Sequence, residues 1–165
     1  MAQPNSNAHS PRQLETAAGR MSYVVFDVGE MRLALEIEHV LSAEPMLPIT
    51  PVPDMPLHLA GVVNLRGNVT AVVDLAQING QPASGSRESD CILMVSVGGY
   101  ACGLLASSIG EVHEIAGAAI VPPLAATAGP RLFRGFIDVD SRLVGILDTD
   151  RLFTILTGDT DGQEK

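Results

Sequence analysis

Residues 61–75 read GVVNLRGNVTAVVDL, and this stretch decides the fold. Two apolar runs, 61–66 and 69–74, flank Gly67 and Asn68. Glycine supplies the positive φ angle that a tight turn between two strands requires. The stretch therefore predicts a β-hairpin whose turn is formed by Gly67 and Asn68.

The same hairpin pattern occurs at three further places along the chain. The turn glycines Gly29 and Gly98 are 69 positions apart, and Val40 and Ile109 have the same spacing. The second hairpin of each half also repeats, at an offset of 74, because five extra residues lie in a connecting loop. The four predicted hairpins pair 23–28 with 31–37, 61–66 with 69–74, 91–97 with 100–105, and 135–139 with 143–148.

Two aspartates at the offset of 74 are expected to begin short helices. Asp74 precedes residues 75–79, which lead to Gly80, and Asp148 precedes residues 149–156, whose apolar positions have helical spacing. An aspartate carboxylate accepts hydrogen bonds from the first free amides of a helix. Both halves of the chain are therefore expected to end in a capped helix.

A duplicated unit of about 70 residues buries too little surface to be stable alone. We therefore predict an all-β fold of two small barrels that share a core, with short helices. The predicted folded region is 21–157, with lobes at about 21–83 and 90–157. The two lobes can exchange their end strands. Residues 1–20 and 158–165 are polar and lack apolar periodicity, so disordered ends are predicted.

Composition excludes several classes of function. The chain has 165 residues, 46% of them hydrophobic and 4% aromatic, and a net charge of −9. An acidic protein with few aromatic side chains is poorly suited to nucleic acid. The N-terminus lacks the apolar segment of a signal peptide, and no later run is long enough for a membrane span. We expect a cytoplasmic protein without direct membrane insertion.

Catalytic and metal-binding patterns are not convincing in this sequence. The histidines are scattered, and the aspartates of the last hairpin lie where turns and caps explain them. Ser107-Ser108 has no paired base, and Cys91 and Cys102 are interpreted as reduced core residues on paired strands. No enzyme activity, cofactor or metal is predicted. The residues considered are His9, His39, His58, His113, Asp138, Asp140, Asp148 and Asp150.

Arg66 interrupts an otherwise apolar hairpin immediately before its predicted turn. It can be a solvated charge whose stem covers apolar neighbours. It can equally be an interface residue that a rigid hairpin presents to carboxylates or carbonyl groups of a partner. The residues alone leave both interpretations open.

Residues 61–75 resemble the Gly-Val-x-Asn-Leu-Arg-Gly-x-Val-x-x-Val-x-Asp-Leu signature of CheW-like domains. The resemblance covers about residues 21–157. The proline-bearing stretch Pro45 to Pro56 and the segment Ile109 to Ile115 are similar to other parts of that family. The resemblance implies two five-stranded SH3-like barrels around a common core.

The resemblance also implies a cytoplasmic adaptor that couples chemoreceptors, the methyl-accepting chemotaxis proteins, to a CheA-type histidine kinase. Its partners would be the regulatory domain of the kinase and the cytoplasmic hairpin tip of the receptor, with recruitment to membrane-associated receptor arrays. The implied receptor groove contains Ile37, Val40, Leu41, Arg66 and Val112, and the signature hairpin contributes Gly61, Asn64, Leu65, Arg66, Gly67 and Asp74.

Two alternatives remain at this point. Leu41-Ser42-Ala43 and Thr70-Ala71 depart from common family residues, so the chain can instead serve a type IV pilus or another non-flagellar chemosensory pathway. The other alternative is a small-ligand-binding or enzymatic β-barrel, which would need a polar pocket with perturbed titratable groups.

Overall fold

The computed structural model describes residues 19–80, 90–123 and 132–158. The predicted disordered ends lie outside these ranges, apart from their innermost residues. Arg20 already belongs to the first strand, where it pairs with Ala116, and Gly158 ends the last helix in a left-handed conformation.

Ten strands and two α-helices follow one another along the described residues. A 3-10 turn, here called the crossover turn (Ile37–His39), connects β2 to β3, and a second 3-10 turn (Gly117–Ala119) follows β8. The elements are β1 Arg20–Val28, β2 Met31–Glu36, β3 Val40–Pro45, β4 Leu59–Leu65, β5 Asn68–Val73, α1 Leu75–Ile78, β6 Cys91–Val97, β7 Tyr100–Ala106, β8 Ser108–Ala116, β9 Phe133–Val139, β10 Arg142–Leu147 and α2 Thr149–Thr157.

The strands form two five-stranded sheets, which we call barrel A and barrel B. The strand order is β8-β1-β2-β10-β9 in barrel A and β3-β6-β7-β5-β4 in barrel B. Under the sequence repeat, β1 to β5 correspond to β6 to β10, so the two orders are identical. Each barrel combines the first hairpin of one half with the last three strands of the other half.

Parallel pairings join the two halves within each barrel. Leu33 of β2 pairs with Gly145 of β10, and Val72 of β5 pairs with Gly103 of β7. One large apolar cluster receives buried side chains from strands of both barrels and from both helices. The prediction of an all-β fold with two barrels around a common core is confirmed. Members of this cluster include Phe26, Leu33, Val73, Leu75, Leu93, Leu104, Leu147 and Leu152.

The turn of the signature hairpin lies one residue earlier than predicted. Leu65 pairs with Asn68, so the central turn residues are Arg66 and Gly67, with φ angles of 51° and 86°. The Asn64 side chain stabilises this arrangement because its Oδ1 accepts a hydrogen bond from the Gly67 amide at 2.9 Å. Arg66 therefore occupies the left-handed region, which non-glycine residues seldom adopt.

Both predicted helix caps are confirmed. The Asp74 carboxylate accepts a hydrogen bond from the Ala76 amide at 3.1 Å, and the Asp148 carboxylate accepts one from the Arg151 amide at 3.0 Å. Each aspartate directly follows a strand, so the caps fix the direction in which the chain leaves each barrel.

Candidate binding groove

The proline-bearing loop packs directly against the signature hairpin. Thr50 forms two backbone hydrogen bonds with Val62, of 2.8 and 2.9 Å. A Cβ atom on Gly61 would lie 2.4 Å from the Thr50 carbonyl oxygen. The signature glycine is therefore required because the loop backbone approaches β4 too closely for any side chain.

Arg66 lies at the tip of this hairpin, with 70% of its side chain exposed. Its Nη1 is 3.3 Å from Oε2 of Glu44 on β3, and the Ser42 hydroxyl donates to the same oxygen at 2.8 Å. Glu44 is only 11% exposed, so it is a fixed acceptor. An exposed pair of this kind contributes less than about 1 kcal/mol, so Arg66 is oriented by Glu44 but available to a partner.

Three predicted groove residues lie on one segment. Ile37 is in the crossover turn, and Val40 begins β3, an edge strand of barrel B. Leu41 is the extra residue of a β-bulge, because Val40 pairs with Val95 and Ser42 pairs with Met94. Leu41, in the bulge, is 55% exposed, whereas its neighbour Val40 packs against the large apolar cluster.

Val112 lies on the other barrel. It pairs with Val24 along β8, an edge strand of barrel A, and it is also 55% exposed. A bulge places Gly110 and Glu111 opposite Val25, at the position equivalent to the bulge in β3. The structure thus places Ile37, Val40 and Leu41 on one segment and connects Arg66 to it through Glu44. Val112 lies apart from them, on the equivalent strand of barrel A.

A polar cluster at the crossover turn was not predicted from the sequence, in which the histidines are scattered. His39 Nε2 lies 3.5 Å from Glu36 and 3.7 Å from Glu38. Arg134 of β9 donates to Glu36 Oε2 at 2.8 Å and to the phenol oxygen of the buried Tyr23. We call these five residues the His39 cluster.

Charges within the His39 cluster shift two pKa values in opposite directions. The contact with the Glu36 carboxylate raises the pKa of His39 despite its partial burial. The contact with His39 and the charge of Arg134 lower the pKa of Glu36, although burial opposes this shift. Ligand atoms of Glu36, Glu38 and His39 lie within 4.8 Å of one another, but Arg134 already supplies a positive charge there. The arrangement is that of an ion-pair network.

The serines and cysteines have structural explanations. Ser107 accepts a hydrogen bond from the Gly29 amide, and Ser108 donates to Asp27, a carboxylate that Arg32 also engages. Cys91 and Cys102 are free thiols on the paired strands β6 and β7. Burial raises the pKa of both and brings that of Cys102 to about 11, so neither is a reactive thiolate near neutral pH.

A separate apolar surface lies beside α2. Tyr100, 69% exposed, stacks on Phe153 with 6.1 Å between ring centroids, and both rings border a cleft of about 270 Å³. Leu59, Val97 and Leu156 also line this cleft. Its lining is almost entirely apolar, which suits a protein surface better than a polar small molecule.

In the described ranges, no helix has the length and apolar character needed to cross a bilayer.

Comparison with known proteins agrees with this architecture. The chain is 28% identical over 137 residues to the chemotaxis protein CheW of Rhizobium meliloti (strain 1021), covering 82% of this chain and 88% of the relative. It is 33% identical over 110 residues to the protein FrzA of Myxococcus xanthus, covering 65% and 67%. The crystal structure of the scaffolding protein TtCheW from Thermoanaerobacter tengcongensis matches with a TM-score of 0.73 and 28% identity, covering 88% of this chain and 97% of that chain. The family model for the CheW-like domain matches residues 22–156, and the chain therefore belongs to the CheW-like domain family.

Proposed function

We propose that this protein is a cytoplasmic, non-catalytic adaptor that couples chemoreceptors to a CheA-type histidine kinase. The observation that carries the proposal is the juxtaposition of Arg66 with β3. An exposed guanidinium is oriented by Glu44 on the strand whose bulge exposes Leu41. A strand that exposes an apolar side chain and also orients a charged anchor suits a helical tip that carries both apolar and acidic groups.

The proposed receptor groove consists of Ile37, Val40, Leu41, Arg66 and Val112. In this proposal the first four residues would line the side of barrel B that includes β3, and Val112 would contribute from the equivalent strand of barrel A. Both strands are sheet edges with bulges, and Leu41 and Val112 are each 55% exposed on them. Val40 packs partly against the core and would contribute only its exposed part.

An adaptor needs a second surface for the kinase, and the cleft beside Tyr100 and Phe153 supports one. It is lined by different residues from the receptor groove, so both partners could bind at once. We propose that the regulatory domain of the kinase docks on this surface. Recruitment to the membrane would then occur through the receptor, since the adaptor itself is proposed not to insert.

An enzymatic or small-ligand function is less well supported. The apolar cleft beside Tyr100 and Phe153 offers no polar chemistry: its titratable thiol, Cys102, has a pKa that burial raises to about 11, so it is protonated near neutral pH. A pilus-associated or other non-flagellar adaptor would use the same two classes of partner. It would differ only in which receptor and kinase are captured.

A pull-down with two surface variants tests the proposal. The immobilised protein should capture receptor cytoplasmic fragments and the kinase regulatory domain from its own cell. Leu41→Ser should reduce capture of the receptor alone, and Tyr100→Ser should reduce capture of the kinase alone. Capture of neither partner by the folded wild type would contradict the proposal, and equal loss of both partners in each variant would contradict the assignment of two surfaces.

A further inference from the structure

The crossover turn carries the chain from barrel A to barrel B, yet hydrophobic burial does little to hold it. None of Ile37, Glu38 and His39 is buried, and no side chain caps the start of the turn. Strand β2 ends at Glu36 in barrel A, and β3 begins at Val40 in barrel B. Strand pairing of Glu36 and Val40 fixes the two ends of the turn, and Val40 also packs against the large apolar cluster. Between these ends, the conformation of the turn depends on its polar contacts.

His39 makes these contacts with both ring nitrogens. Nδ1 lies 3.3 Å from the carbonyl oxygen of Ser96, on β6 of barrel B. Nε2 lies 3.5 Å from a carboxylate oxygen of Glu36, at the end of β2 in barrel A. A neutral imidazole carries only one N–H, whereas both nitrogens here face oxygen acceptors. Only the imidazolium form can donate on both sides.

The groups around the ring favour the same charge state. Glu38 of the turn lies 3.7 Å from Nε2, and β6 contributes the Ser96 carbonyl. From β9, Arg134 binds the far oxygen of Glu36 and thereby fixes its carboxylate, with the Tyr23 phenol of β1 beyond it. Two carboxylates thus face His39 directly, and the arginine lies behind one of them.

We propose that protonated His39 is a positioning residue that fastens the crossover turn between the two barrels, so that the geometry of residues 37–41 depends on pH. This inference rests on the proposed function in one respect, since residues 37–41 form part of the proposed receptor groove. Receptor binding should then weaken when His39 loses its proton.

The direction of the pH effect follows from the two pKa shifts. Because the pKa of His39 is raised in the folded protein, its contribution is complete below the ordinary value of 6.5 and is lost as pH rises through the higher folded value. Because the pKa of Glu36 is lowered, its contribution is present above the ordinary value of 4.5 and is lost in stronger acid. Between pH 4.5 and pH 6.5, the ordinary values of the two groups, the contacts of His39 with Glu36 should therefore be complete.

A histidine titration by NMR, with a chelator present, tests the inference without any partner. The His39 ring should titrate above pH 6.5, and the backbone amides of residues 37–41 should shift with the same midpoint. Glu36→Gln should lower that midpoint, whereas the control Glu111→Gln, on exposed β8, should not. A wild-type midpoint at or below 6.5, or amides that do not follow it, would overturn the inference.

Binding of a receptor cytoplasmic fragment at pH 6 and pH 8 tests the consequence. Wild type should bind about fivefold more weakly at pH 8, which is at the low end of the affinity changes that coupling between two sites produces. His39→Gln should bind equally at both pH values, while the control His113→Gln should behave like wild type. Equal wild-type binding at both pH values would contradict the coupling. No binding at either pH, with the titration as expected, would instead contradict the proposed function.

Overall stability is unsuitable as the readout, because His58 acts in the opposite direction. Burial lowers the pKa of His58, so its contribution to stability is complete above the ordinary value of 6.5 and is lost as pH falls through the lower folded value. In the described part of the chain, its Nε2 is buried without a hydrogen-bond partner.

Discussion

Gly61→Ala should destabilise the protein by about 4 kcal/mol, which combines backbone strain with a steric clash. The new Cβ would lie 2.4 Å from the Thr50 carbonyl oxygen and 2.8 Å from the Ile49 side chain. Gly61 also has a φ of 148°, which residues with a side chain rarely adopt. Because the clash involves backbone, the loop must move and lose its hydrogen bonds with Val62. Urea unfolding of wild type and variant measures this loss.

Two matched glycine variants separate the causes. Gly135 is the equivalent residue in barrel A, where a Cβ would meet the Ile120 side chain at 2.4 Å and the Val121 carbonyl oxygen at 2.9 Å. Its backbone contact is longer than that of Gly61, and its φ is not positive, so the backbone is unstrained. Gly135→Ala should therefore cost less than Gly61→Ala. Gly117→Ala should be nearly neutral, since its Cβ would have only an ordinary contact of 3.7 Å. Equal stability of Gly61→Ala and wild type would show that the loop does not pack on β4 as described.

Arg66→Gly should weaken receptor binding about tenfold or more, which corresponds to about 1.4 kcal/mol or more for the loss of an interface anchor. Glycine is the appropriate replacement because Arg66 has a φ of 51°, which glycine adopts without strain. The turn and its contact with Asn64 should remain, and thermal stability should change little. Calorimetric titration with a receptor cytoplasmic fragment measures the affinity.

The control for Arg66 is another exposed arginine, Arg142, which begins β10 just after the equivalent turn of barrel A. Arg142→Ala should leave receptor affinity unchanged. A comparable loss of affinity in both variants would indicate general electrostatic attraction instead of a specific anchor. Loss of stability together with affinity in Arg66→Gly would assign Arg66 a structural role.

The four hairpins and the two helix caps were predictable because their determinants are local, whereas β3 and β8 belong to none of the predicted hairpins. Alternating apolar residues between turn glycines predict a hairpin, and Asp74 and Asp148 predict caps from their position before helical spacing. The predicted position of the signature turn was wrong by one residue, because the prediction assigned the left-handed conformation to glycine and not to Arg66. Asn64, three residues before Gly67, was the overlooked sequence feature, since its side chain accepts the Gly67 amide.

Contacts between distant parts of the chain could not be predicted in the same way. Periodicity identifies strands but does not say which strands pair, so it could not reveal how β1 and β2 join β10. The His39 cluster depends on Ser96 and Arg134, which are 57 and 98 positions from His39 and Glu36 respectively. The sequence Glu36-Ile37-Glu38-His39 shows charges close together, but not the partners that orient them.

Retention of the kinase on receptor-bearing nanodiscs tests the central claim most directly. Kinase regulatory domain should remain on nanodiscs that carry chemoreceptor only when this protein is added, and Arg66→Gly should reduce that retention. Retention that is independent of the added protein, or a wild type that binds receptor and kinase separately but never together, would contradict the proposed coupling function.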